Sequence, residues 1–263
     1  MRKYALTEET KTLEDGTVLH RIRALRDIPR YGVKSGDLGG WIEAESNLSQ
    51  DDDAWVCGDA WVYGDARVYG NAKVNGNAEV YDYARVYGNA KVYGDAEVYG
   101  DAWVNGNALV CSDARVYGNA KVYGDAWVHG NAQVYGDAQV YGKAMVCGDA
   151  RVYGDAWVCG NAWVYGDAQV YGNARVYGNA RVPGDARVSG DGDVMWFKNT
   201  WSSGRWFTYT RSNKKWAVGC FYGTGEELIK KAYADSEKSG KCYEAIVRAV
   251  ETIETAQGEA KGE

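Results

Sequence analysis

The sequence predicts a mainly β protein built around a parallel β-helix, and three observations carry that prediction. A valine recurs at every sixth position from Val56 to Val194, 24 in succession. An alanine stands two residues before nearly every one of them, and a Gly-Asp or Gly-Asn pair usually follows two residues after. No insertion interrupts the run.

A six-residue period is too short for a helical repeat and too long for simple strand alternation, but it suits a short strand plus a corner. In an extended Ala-x-Val-Tyr unit the Ala and Val side chains point inward, and x and Tyr point outward. The Gly-Asp or Gly-Asn pair supplies the corner, because Gly takes positive φ freely and Asn or Asp tolerates it better than other residues. Three sides close a triangular coil of eighteen residues. At roughly 4.8 Å per layer, about eight coils make a prism roughly 38 Å long.

The unit A-x-V-Y-G-[D/N] over residues 54–194, in which each Val is followed four positions later by Ala, resembles the hexapeptide repeat of left-handed parallel β-helix proteins. It departs from that family after the aliphatic residue, where Gly, Ala, Asp or Glu is usual and this chain mostly has Tyr. The resemblance implies a left-handed coil. Most known members are acyltransferases; they typically form trimers, bind acyl-coenzyme A or an acyl carrier between prisms and use a histidine as general base. Fold alone does not transfer that chemistry. The lead GDLGGWIE, the tyrosine-rich repeats and the aromatic tail also resemble hexapeptide-repeat proteins of phages and prophages, which implies no particular activity.

The flanks differ in composition. Residues 3–9 and 17–25 read as two strands around Glu14-Asp15-Gly16, giving an N-terminal hairpin cap over residues 1–40. Stepping back by six from Ala54 gives Leu48 and Ile42, so imperfect coils are expected from residue 41 and the solenoid over 41–195. Beyond it MWFKNTW, RWFTYTR and KWAVGCFY alternate like strands, with turns at Ser203-Gly204 and Asn213-Lys214. From Gly225 the pattern is helical, with an interruption expected at Ser239-Gly240 and resumption over Tyr243 to Ile253. Residues 196–263 therefore read as a small α+β domain whose last residues, AQGEAKGE, are expected to fray.

The net charge of −6 is small and interspersed, which disfavours a nucleic-acid partner and a membrane surface. No apolar run is long enough to span a bilayer and MRKYALTEETKT lacks a signal-peptide core, so a cytoplasmic location is expected. Of the six cysteines, Cys57, Cys111, Cys147 and Cys159 replace Tyr in the repeat and read as free thiols.

Counting in eighteens assigns the outward residues to three faces. The x positions of face one are Trp55, Lys73, Lys91, Leu109, Trp127, Met145, Trp163 and Arg181. Those of face two run Trp61, Glu79, Glu97, Arg115, Gln133, Arg151, Gln169 and Arg187. Face three has Arg67, Arg85, Trp103, Lys121, Gln139, Trp157, Arg175 and Asp193. Face two also carries an unbroken tyrosine column from Tyr63 to Tyr171, which reads as a stabilising ladder. On face one Cys111, His129 and Cys147 make that column smaller, leaving Trp55, Leu109, Trp127, Met145 and Trp163 as an exposed apolar strip. Such patches mark interfaces, and an isologous homodimer is the expected use, with a fold-back of a terminal domain as the plainer alternative.

His129 is the one histidine placed to act as an acyltransferase base, but it fills a Tyr slot and no carboxylate in its column can orient it. The Cys111-His129-Cys147 column spans three layers, too far for one zinc ion, so no metal is expected. The corner Asp and Asn residues read as turn formers, and no nucleotide fingerprint or nucleophile elbow appears. In the C-terminal domain Arg205, Arg211, Lys214 and Lys215 stand among more aromatics than a small core needs, which suggests an anionic or aromatic ligand. The expected function is a non-enzymatic interaction or scaffold protein without a cofactor, binding a protein partner and self-associating; an acyltransferase and a nucleotide-binding sequestering protein are the alternatives.

Overall fold

The computed structural model describes residues 2–259. The repeat forms about eight coils whose three sides are three parallel sheets, one of eight strands, one of seven and one lengthened to eleven by N-terminal strands. Each strand is mostly two residues, x and Val, from Trp55–Val56 to Arg187–Val188. Register follows the eighteen-residue count, as in Leu109 opposite Trp127 and Arg115 opposite Gln133. Amides run from coil to coil: Arg67 donates to the Ala84 carbonyl at 2.9 Å and Tyr69 to that of Val86 at 3.1 Å. The Ala and Val columns are fully buried and form one continuous core.

The corners show how strongly the repeat dictates backbone shape. Asp82 and Ser112 stand where other units have Gly, yet they take φ of 58° and 61°. That region costs a side-chain-bearing residue roughly 1–2 kcal/mol, so packing of the layers above and below imposes it. The face-two tyrosines stack from Tyr63 to Tyr171, with ring centroids 4.9 to 5.2 Å apart and planes within 8° of parallel.

Before the regular coils, β1 (Tyr4–Thr12) and β2 (Val18–Ala24) form the expected antiparallel hairpin, and β3 (Leu38–Ile42) joins it to the face-two sheet. Ile42 pairs with Val62 and Leu48 with Val68, so both fill Val slots instead of the Ala slots that stepping back from Ala54 assigns. The chain from Leu48 to Val56 is eight positions, two more than one repeat, and the Asp51-Asp52-Asp53 corner absorbs the excess. Gly39 and Gly40 lie against the first coil so closely that a Cβ would meet the carbonyl oxygens of Val56 and Ala60 at 2.6 and 2.7 Å.

The cap also supplies donors to carbonyls that have no preceding coil. Buried Lys3 places Nζ 2.7 Å from the Ala54 oxygen, and the Asn47 side-chain amide donates to Gly64 and Ala66 at 2.9 and 3.0 Å. At the far end the missing partners are acceptors. The amides of Arg175, Arg181 and Arg187, one per face, donate to the side-chain oxygens of Asp191, Thr208 and Ser212 at 3.2, 2.9 and 2.7 Å. Pro183 occupies a slot whose amide would otherwise have no following coil to bond. Both ends of the solenoid are thus closed against edge pairing.

Asp193 is not on face three: residues Asp191–Asp193 form a 3-10 turn, and Val194 opens the next sheet. That antiparallel sheet comprises β27 (Val194–Lys198), β28 (Trp206–Thr210), β29 (Lys215–Val218) and β30 (Phe221–Gly223), numbered after the solenoid strands β4 to β26. Two helices follow, α1 (Gly225–Asp235) and α2 (Glu237–Glu259). The break falls at Ser236 instead of Ser239-Gly240. Gly240 lies inside α2 because the Tyr233 ring sits against it, so it serves close packing and not chain interruption. Helix α2 includes residues 256–259 of the segment expected to fray; residues 260–263 lie outside the described residues.

Candidate functional site

Face one is the side of the prism with the most distinctive chemistry. Its strands bring Leu109, Trp127, Met145 and Trp163 into consecutive register. Trp127 and Trp163 are 37% and 39% exposed, high for indoles on a regular sheet. The neighbouring column is low: Cys111 is buried, and His129 packs its ring 5.0 Å from that of Trp127. Burial depresses the His129 pKa and raises that of the Cys147 thiol, so both groups are neutral near pH 7 and reinforce the apolar character.

Trp55 does not belong to this surface. It is 1% exposed, covered by the N-terminal cap, with the Tyr4 ring edge-on at 6.4 Å. The terminal segment therefore does fold over face one, burying its first layer and reaching over Lys73 and Lys91 of the next two with Arg30 and Tyr31. At the far end Arg181 lies 4.9 Å over the Trp163 ring and donates to the Gly219 carbonyl at 2.6 Å. The strip between these two ends is open in the chain.

His129 Nε2 is buried and has no hydrogen-bond partner. No carboxylate orients it among the described residues, which leaves it poorly equipped as a general base. No group of three His, Cys, Asp or Glu side chains that could hold a metal ion occurs among the described residues.

The C-terminal cations are dispersed. Arg211 pairs with Glu254 at 3.1 Å and Lys215 with Asp185 at 3.6 Å, where it also lies 5.0 Å over the Tyr222 ring. Arg205 lines a cavity of about 240 Å³ with Phe221 and Lys231, whereas Lys214 lines another of about 270 Å³ with Trp216 and Glu251. These residues do not form one anion site. Tyr222 instead bonds Asp185, and Trp196 packs edge-on against Tyr177 at 4.3 Å, so part of the aromatic excess docks the domain on the last coil. Trp201, at 67% exposure, remains outside.

Sequence reading alone misses a groove of about 720 Å³ on the first layers of face one, where Arg30 and Tyr31 of the cap overhang Lys73 and Lys91. The stacked lysines were the available signal; the cap residues that complete the groove follow only from the folded arrangement.

With this geometry in place, comparison with known proteins is informative about the repeat. The sequence model of the YdcK beta solenoid repeat matches residues 114–130, 132–148, 144–160 and 168–184. The repeats are β-solenoid repeats. A crystal structure of a Bacillus cereus protein described as a candidate acetyltransferase is similar at 11% identity, covering 65% of this chain and 90% of that one, with a TM-score of 0.25. That likeness is too loose to transfer an activity. No curated protein matches the chain. No helix among the described residues is long and apolar enough to cross a membrane.

Proposed function

We propose that this chain is a non-enzymatic interaction protein that self-associates through face one as a two-fold homodimer and presents its remaining surface to a protein partner. The observation that carries the reading is the in-register strip Leu109, Trp127, Met145 and Trp163, with two indoles more than a third exposed. Contiguous apolar surface of this kind is uncommon on a monomer, and aromatic and Met side chains are enriched in interface cores. The sheet is rigid, so little ordering entropy opposes docking. A flat strip can also meet its own copy about a two-fold axis.

Capped ends support the same use. Because side chains of the flanking segments bond backbone groups at both terminal coils, the ends are less open to stacking than the faces, which favours lateral contact. The acyltransferase alternative rests on His129, whose buried and unpartnered Nε2 could accept a proton. Native mass spectrometry of protein purified gently from its host separates these readings. A dimer without added mass supports the interaction protein; a bound coenzyme A, with transfer activity lost on His129→Ala, supports the enzyme.

A further inference from the structure

Face three carries the most cations of the three faces. Its x column contains Arg67, Arg85, Trp103, Lys121, Trp157 and Arg175 with Gln139 and, like that of face one, no carboxylate. Arg67 and Arg85 are direct register partners. Like charges in register are destabilising, yet neither is within ion-pair distance of a carboxylate among the described residues. Face two also stacks a like pair, Glu79 on Glu97, but there Arg115 lies 3.2 Å from Glu97 and the Tyr63 hydroxyl 3.4 Å from Glu79. The cationic pair on face three has no such relief.

Basic character continues across the corner shared with face one. Asn71, Asn89 and Asn107 form an amide ladder there, linked at 3.2 and 3.0 Å and ending on Asp125 at 2.8 Å. Beyond it Lys73 and Lys91 are again register partners, and Arg30 bonds Asn89 at 2.7 Å. The corner between faces one and two carries Asp95, Asp113, Asp149 and Asp167, and the corner on the other side of face three carries Asp65, Asp82, Asp101, Asp137 and Asp155. A net charge of −6 therefore conceals a cationic face three, bordered by an amide-rich corner towards face one and a carboxylate corner towards face two.

Aromatic rings alternate with these cations. Arg85 and Lys121 lie 5.4 and 5.1 Å from the Trp103 ring, and Arg175 lies 4.9 Å from that of Trp157, which is 36% exposed. Flat indoles interleaved with unpaired cations suit a polymer with planar bases and a charged backbone. Face three is a flat sheet side without a projecting helix or ribbon to enter a duplex groove, so an unpaired strand fits it better than a duplex.

We propose that face three is a binding surface for single-stranded nucleic acid, with phosphates tracking Arg67, Arg85, Lys121 and Arg175 and a base stacking on Trp157. This reverses the expectation drawn from net charge. It does not rest on the dimer, because the apolar strip lies on a different face.

The test is fluorescence titration of the full chain with oligothymidylate of about 15 nucleotides, within the footprint known for stacking platforms. Binding should quench tryptophan emission, and log K should fall against log salt with a slope of about −3 for four neutralised phosphates. The double variant Arg67→Gln/Arg85→Gln should lower that slope to about −1.4 and weaken binding at low salt by at least about tenfold. Its melting temperature should be unchanged or higher, since a repulsion has been removed. Lys121→Gln provides a second test should the double variant fold poorly, and Arg151→Gln on face two should bind like the parent. No binding at low salt, equal binding by the double variant, or binding only to a sulfated polysaccharide would overturn the proposal.

Discussion

The ammonium of Lys3 lies 2.7 Å from the carbonyl oxygen of Ala54, wholly buried beneath the N-terminal hairpin. The contact replaces a strand amide with a side-chain donor at the first rung of face one. Burial lowers the Lys3 pKa from 10.5 to about 8, against an opposing pull from Asp52. The folded chain thus releases this proton more readily than the unfolded one. Stability contributed by Lys3 should rise with pH from about 8 towards 10.5, because the unfolded state binds more protons there. Half-buried tyrosines such as Tyr63, whose pKa is raised by burial, oppose that trend once pH exceeds about 10. The Cys57 and Cys147 thiols, raised by burial, pull the other way in the same range, so the reading is a difference: in denaturant titrations between pH 7.5 and about 9.5 the stability of the parent relative to Lys3→Met should rise with pH.

Closure of the other end makes a matching prediction. Thr208→Val keeps the side-chain shape but removes the acceptor for the Arg181 amide. It should cost about 1–3 kcal/mol and increase hydrogen exchange at the last coil. An equal loss of protection along all coils would indicate that the end is not a separate cap.

The face-two ladder predicts a position-dependent loss. Tyr117 stacks on both Tyr99 and Tyr135, whereas Tyr171 stacks only on Tyr153. At about 0.5–1.5 kcal/mol per stack, Tyr117→Ala should cost about twice as much as Tyr171→Ala in urea unfolding. Equal costs would place the stabilisation in burial of single rings.

Corner geometry can be read from a reciprocal pair. Gly106 has φ of 68°, and an added Cβ would lie 2.8 Å from the Gly124 amide nitrogen, so Gly106→Ser should lower stability by at least about 1 kcal/mol. Ser112→Gly removes a side chain from φ of 61° and should raise stability by up to about 1 kcal/mol. Thermal unfolding of the two variants gives both signs directly.

The faces were legible because no insertion breaks the hexad between Val56 and Val188, so a count in eighteens places Leu109, Trp127, Met145 and Trp163 together. The same count misplaces Trp55 and Asp193, where local periodicity persists but long-range contacts decide the outcome. Trp55 is covered by Tyr4, some fifty positions earlier, and Asp193 is turned away by the 3-10 segment that feeds the C-terminal sheet. Gly240 was misread for a related reason: its composition suggests a break, but its conformation is set by contact with Tyr233. The C-terminal cations separated because their partners, Glu254 and Asp185, come from opposite sides of the domain in sequence. Charge segregation was hidden by averaging over the chain and becomes visible only when charges are assigned to faces.

The most direct test of the proposed function is sedimentation equilibrium of the parent and Trp127→Arg, with thermal unfolding of both. The reading predicts a dimer for the parent and a monomer of unchanged melting temperature for the variant, since Trp127 is on the open strip. A monomeric parent, or a variant that stays dimeric, would contradict self-association through face one.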